Sequence, residues 1–233
     1  MSADIKSESF VTLVGFGPGD PDLLTIAGER AIAQADIIFH DDLVDEVFLK
    51  KYSAELFYVG KRKHCHSYEQ EAIHELMLTA AKAGKNVVRL KGGDAMVFAH
   101  GGEEIEFLKS HGVGVKVIPG ISTGIAVASL TQIPLTLRGI AKSVAFITGH
   151  TTDVLLPNTD TLVCYMASTT IHRIAAKAIA EGRNPSTPVA LIHNLSLPDQ
   201  KEFLSTLAEL SKSEETYPTP LIIIIGDVIS YRK

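Results

Sequence analysis

Residues 87–104 read VVRLKGGDAMVFAHGGEE and hold the densest chemistry in the chain. Gly92 and Gly93 can take positive φ and let a ligand approach the main chain, and Asp94 adds a carboxylate beside them. The β-branched and apolar run 87–90 suits a strand that must end at this pair, and parallel α/β sheets bind ligands beyond their strand C-termini. The same residues also suit a tight strand-to-helix connection without a ligand, because Gly101-Gly102 precede Glu103, Glu104 and Glu106, acids that favour a first helical turn. His40-Asp41-Asp42 closes a short apolar run at 37–39, a second place for acid–base chemistry, although adjacent acids on a loop also serve as plain turn residues. The most basic run, Gly60-Lys61-Arg62-Lys63-His64-Cys65-His66, reads as an anion-facing loop. Its His-Cys-His has no partner ligands at usual zinc spacing, so no metal is expected. Gly15-Phe16-Gly17-Pro18-Gly19-Asp20 begins G-x-G after a strand, but Pro18 removes an N–H and Asp20 stands where a third glycine should be, so a dinucleotide is not expected.

These residues need elements to hold them. Strands are expected at 10–14, 37–39, 56–59, 87–90 and 115–118, then at 143–148, 161–166, 189–193 and 221–225. A helix from about Asp22 turns Leu24, Ala27, Ala31 and Ala35 inward, and a capping box at Ser67 and Gln70 opens another that buries Ile73, Leu76, Met77 and Ala80 before Gly84. Further helices are expected at 102–111, from the cap Ser122-Thr123 through Leu130, and at 170–181 with Ile171, Ile174, Ala175 and Ala178 inward. Residues 201–213 are ambiguous, though Thr206 and Glu209 form a second capping box. Strands and helices alternate in both halves, which predicts two α/β domains, 10–118 and 119–233, with a cleft between them. Pro119-Gly120 marks the boundary, and residues 1–9 form a polar, frayed terminus.

A chain of 233 residues is long enough for two cores. Its 22 basic and 27 acidic residues leave a net charge of −5, which argues against a general nucleic-acid binder. Cys65 and Cys164 lie too far apart to suggest a disulfide framework or a paired metal site, and both are expected to be reduced in the cytoplasm. The opening MSADIKSESF has no apolar core of the signal-peptide kind, and the aliphatic run 221–225 is too short to span a bilayer, so no membrane partner is expected.

GFGPGDPDLLT, HDDLV, VGKR, RLKGGD with FAHGGEE, VIPGIS, IPLT and FITGH resemble, in this order and spacing, the tetrapyrrole methylases over about residues 10–230. VGKR, KGGD and TGH are most similar to members that methylate uroporphyrinogen III to precorrin-2, on the way to sirohaem and cobalamin. The resemblance implies two α/β domains unlike a Rossmann methyltransferase, a homodimer, S-adenosylmethionine bound in the interdomain cleft, S-adenosylhomocysteine as product, and no metal. It carries the cofactor contacts to Pro18, Gly92, Gly93, Asp94, Val97, Ser122, Thr123, Met166 and Leu195. Asp41 matches the proton acceptor and Lys61 the proton donor. A polycarboxylate substrate suits Arg62, Lys91 and Arg138 as charge-assisted partners, with Lys63 a solvated cation.

The sequence departs from the family motifs at several positions. His40 and Asp42 stand where Y-D-R-L-V has tyrosine and arginine, Ala95 and His100 replace a proline and an arginine, Leu137 and Gly139 a histidine and an acid, and Leu195 a glycine. Two other readings therefore stay open: a methylase of a later precorrin, and a catalytically weak protein that senses or carries a tetrapyrrole.

Overall fold

The computed structural model describes residues 9–44, 46–60, 70–150 and 154–232. Along the chain run β1 (Phe10–Gly17), α1 (Ile26–Ala33), β2 (Ile37–His40), α2 (Glu46–Leu49), β3 (Glu55–Tyr58), α3 (Gln70–Lys82), β4 (Val87–Gly92), α4 (Gly101–Ser110) and β5 (Gly114–Ile118). They are followed by α5 (Thr123–Thr131), β6 (Val144–Thr148), β7 (Thr161–Tyr165), α6 (Ile171–Ala180), β8 (Pro188–His193), β9 (Lys201–Thr206), α7 (Leu207–Leu210) and β10 (Leu221–Ile225). The chain divides into two compact units, Met1–Ser122 and Thr123–Lys233, so Pro119-Gly120 belongs with the first.

The first unit is built on a parallel sheet of order β3-β2-β4-β1-β5. Successive side chains of a strand point to opposite faces, and β1 shows the consequence. Val11 and Leu13 join Phe39, Met77 and Leu108 in one core cluster. Val14 and Phe16 join Ile32, Ile38, Val88 and Leu90 in the other. Both faces are covered, which is why these strands read as continuous apolar runs. The helix expected from Asp22 is divided in two. Pro21–Leu23 forms a 3-10 turn, and Thr25 then recaps the chain by accepting the Gly28 N–H at 3.1 Å. Leu24, Ala31 and Ala35 pack inward as expected, joined by Gly28 and Ile32, whereas Ala27 is exposed.

The second unit holds a mixed sheet of order β6-β7-β10-β8-β9. Only β6 and β7 run parallel; β10 is antiparallel to β7 and β8, and β9 is antiparallel to β8. Every residue of β10 is buried. Leu221, Ile223 and Ile225 face Ile171, Ile174, Ala175 and Ala178 of α6, the inward set expected from its periodicity, while Ile222 and Ile224 face Val127 of α5. The ambiguous stretch becomes a strand followed by one helical turn. Thr206 Oγ1 accepts the Glu209 N–H at 3.2 Å and Glu209 Oε2 accepts the Thr206 N–H at 2.9 Å, so that capping box is present. The box at Ser67, together with the His64-Cys65-His66 run, lies outside the described residues. Burial pushes the Cys164 thiol up to about 12, which keeps it protonated.

At the C-terminal ends of β1, β4 and β5, three main-chain segments close on one another. Gly17 N donates to Gly93 O at 3.1 Å and Gly93 N donates to Gly17 O at 2.7 Å. A Cβ at Gly120 would stand 2.3 Å from Gly93 O and 2.6 Å from the Gly15 carbonyl carbon. Only glycine fits such an approach, whereas a Cβ at Gly102 would meet nothing within 4 Å. Gly120→Ala is therefore expected to lower stability by about 2 kcal/mol or more, as overpacking does. Gly102→Ala, on α4, is expected to leave it unchanged or raise it by up to about 1 kcal/mol. Thermal denaturation of both variants checks the contrast.

Candidate active site

In the parallel sheet, β2 leads on to β3 at one edge, whereas its neighbour β4 leads on to β5 at the other. Such a divergence leaves a crevice beyond the strand ends, and open α/β sheets use it for ligands. His40 and Asp41 stand at the end of β2, and Gly92, Gly93 and Asp94 at the end of β4. A Cβ at Gly92 would lie 2.7 Å from Leu43 Cβ, so glycine there lets the loop after β2 settle against β4.

Asp94 organises the loop that follows. Its Oδ1 accepts the Met96 N–H at 2.8 Å and its Oδ2 the Gly120 N–H at 3.0 Å. The Val97 N–H then closes a turn on Asp94 O at 3.2 Å. Phe98 and His100 follow with φ of 52° and 57°, left-handed conformations that non-glycine residues rarely hold. Met96 and Phe98 stay exposed on this loop. In the loop after β1, Pro18 is buried between Gly17 and Gly19, whose φ values are 92° and 141°.

Beneath these loops lies a charged cluster that sequence reasoning missed. Arg89 and Lys91, two residues apart on β4, project to one face, and Glu104 of α4 meets both. Glu104 is 0% exposed; its Oε1 receives Lys91 Nζ at 2.8 Å, Arg89 Nε at 3.3 Å and Gln70 Nε2 at 3.4 Å. Arg89 also donates through Nη1 to Leu90 O at 2.7 Å and Phe39 O at 3.4 Å, and its Nη2 lies 3.7 Å from Asp41 Oδ2. Burial, followed by the neighbouring Arg89 charge, lowers the Lys91 pKa from its ordinary value. Lys91 was expected to meet substrate carboxylates. It is instead buried, and its cation answers a carboxylate of its own unit. The spacing of Arg89 and Lys91 was the available signal; which of Glu103, Glu104 and Glu106 would turn inward was not readable.

Of the other residues singled out from sequence, Lys61, Arg62 and Lys63 lie outside the described residues. Ser122 and Thr123 are half-buried where the two units join in sequence. In the second unit Arg138 is exposed beside Gly139, whose φ is 81°, within a turn bridged by Leu137 and Ala141. Met166 follows β7 with φ 52° and is half-exposed. Leu195 sits between Asn194 and Ser196, at φ 48° and 71°, with its side chain packed against Val127, Ile133 and Leu135. Among the described residues no cluster of His, Cys, Asp and Glu could hold a metal ion, and no helix is long and apolar enough to cross a membrane.

The sequence model of the Tetrapyrrole (Corrin/Porphyrin) Methylases matches residues 11–211. The chain belongs to the tetrapyrrole methylases. Among its relatives, the uroporphyrinogen-III C-methyltransferase of Bacillus subtilis is 42% identical over 95% of this chain and 91% of that one. A siroheme synthase of Saccharophagus degradans is 41% identical over 98% of this chain and 52% of its own, so the chain spans about half the length of that relative. The crystal structure of the Thermus thermophilus uroporphyrin-III C-methyl transferase complexed with S-adenyl homocysteine superposes with a TM-score of 0.82. It is 36% identical, with 95% of this chain and 93% of that chain covered.

The structure accounts for several departures of this tetrapyrrole methylase from its family motifs. Asp42 accepts a hydrogen bond from Tyr58 Oη of β3, and Ala95 is fully buried. His100 is exposed and pairs with Glu103, whose pKa it lowers. Leu195 is buried in the apolar core of the second unit. His40 is 1% exposed with its ring edge-on to Tyr58.

Both Asp94 oxygens are occupied by main-chain donors, so Asp94→Ala is expected to destabilise the unit by about 2 kcal/mol as well as loosen the loop. Denaturation midpoints check this. Burial pushes the imidazoles of His40 and His74 below the ordinary 6.5. Each is neutral in the folded chain where the unfolded chain binds a proton, so stability falls as the pH drops through 6.5. The urea midpoint is expected to fall between about pH 7 and pH 5, and to fall less in His40→Phe.

Proposed function

We propose that this chain transfers methyl groups from S-adenosylmethionine to ring carbons of uroporphyrinogen III, yielding precorrin-2 and S-adenosylhomocysteine for sirohaem and cobalamin synthesis. The observation that carries the reading is the likeness to the Bacillus subtilis enzyme along nearly the whole of both chains.

The residues present fit the methyl donor. Gly92, Asp94 and Val97 are half-buried at the end of β4, and Met166 is exposed after β7. Pro18, Gly92, Gly93, Asp94, Val97, Ser122, Thr123, Met166 and Leu195 would hold it, Asp94 by fixing its loop. S-adenosylmethionine supplies a methyl group that its sulfonium has already activated. The protein then has to align the donor with an electron-rich carbon and exclude water, and alignment contributes several kcal/mol, up to about 10. Methylating a ring carbon leaves a cation that must lose a proton. Asp41, its side chain 28% exposed at the end of β2, is the acceptor.

Lys61 as proton donor and Arg62 as a substrate contact rest on the VGKR motif alone. Arg138 is an exposed cation suited to a substrate carboxylate. A homodimer in the cytoplasm, with no nucleic acid, membrane or metal involved, completes the reading.

The test is anaerobic incubation of the purified chain with S-adenosylmethionine and enzymatically generated uroporphyrinogen III, followed by product mass. A gain of two methyl groups supports the assignment; no gain, with the methyl donor still bound, would redirect it to a later precorrin or to a binding role. Asp41→Ala is expected to keep donor affinity in calorimetry while turnover falls by roughly a hundredfold or more. Undiminished turnover would remove Asp41 from the reaction.

A further inference from the structure

We infer that Glu104 is a positioning residue for the reaction: through Arg89 it sets where the Asp41 carboxylate stands. The inference rests on the reading of Asp41 as proton acceptor.

The geometry forms a line of alternating charge. Glu104 on α4 holds Arg89 Nε at 3.3 Å, and the far edge of the same guanidinium, Nη2, lies 3.7 Å from Asp41 Oδ2. A guanidinium is planar and rigid, so fixing Nε and Nη1 also fixes Nη2. Nη1 is held by Leu90 O and Phe39 O, and Nε by Glu104 alone among the described residues. Neither Arg89 nor Glu104 is free to reorient in water, since their side chains are 5% and 0% exposed. At such burial a charge acts on its neighbour with little screening.

Glu104 also balances the pocket. Arg89 and Lys91 place two cations there, and Glu104 touches both while Asp41 touches only Arg89. Without Glu104, both cations would act on Asp41 unopposed. The carboxylate would be drawn against Arg89, further from a substrate proton. The other ionisable groups around Asp41 are His40 and Asp42 beside it, Tyr58 on β3 through its bond to Asp42, and Glu46 on α2, which acts on His40.

The experiment is Glu104→Gln, an isosteric change that removes the charge, read by kcat and KM beside Asp41→Ala. Expected is a fall in kcat on the order of tenfold to a hundredfold with little change in KM for the methyl donor. A stranded pair of buried cations threatens folding, so Glu104→Gln is also combined with Lys91→Met, which removes one acid and one cation together. That double variant still leaves Arg89 without its carboxylate, and the same kcat loss is expected. A folded variant, single or double, with wild-type kcat overturns the inference, as does a change confined to KM or to thermal stability. If Asp41→Ala itself retains turnover, the reading of Asp41 fails first; if Asp41→Ala is inactive while the Glu104 variants behave as wild type, only the inference fails.

Discussion

The contact on which the site depends is the approach of three glycine main chains. Gly15, Gly93 and Gly120 come from the ends of β1, β4 and β5, and a Cβ on Gly15 or Gly120 would fall within 2.8 Å of a neighbouring backbone atom. The approach draws three strand ends together and sets the heights of the loops that leave them. Asp94 secures it from the side by taking the Gly120 N–H, so the acid of the GGD motif works first as a brace. The strained backbone at Phe98 and His100 is held in place by this bracing, since left-handed non-glycine residues persist only where their surroundings determine them.

A second constraint is electrostatic. Arg89, Lys91 and Glu104 are nearly fully buried, and buried ions persist only when paired and hydrogen-bonded. Removing one partner of such a group is far more damaging than removing a surface pair, because it strands the remaining charge. The lowered pKa of Lys91 is the trace of that tension: burial and Arg89 oppose its charge, and Glu104 supports it. The cluster lies along β4 and reaches Asp41 at the end of β2 through Arg89.

Each unit carries its own special features. The first holds Asp41, the charged cluster and the glycine loop. The second holds left-handed residues at Asn194 and Ser196 and the exposed Met166. Leu195 stands where the family motif has glycine, and its side chain is taken up by the apolar core that holds Val127 and Ile133.

Sequence alone determined most of the elements and the family. The buried strands are short apolar runs bounded by Gly, Pro and polar residues, and α6 and the Thr206–Glu209 box follow local rules of periodicity and capping that need no tertiary context. The motifs located Asp41 and the GGD loop for the same reason: each sits where a strand has to stop. Tertiary structure alone decided what depends on contacts between distant residues. The direction of β10 against β7 and β8 is set by pairing across the sheet, and the division of the first helix by a cap that restarts it after Pro21. In a run with three acids near a helix start, only the packing of α4 over β4 selects Glu104 for burial. The fates of Lys91 and Asp94 follow the same logic. Their side chains were legible as charges, but what a charge does is fixed by the group it meets, and both meet groups of their own unit.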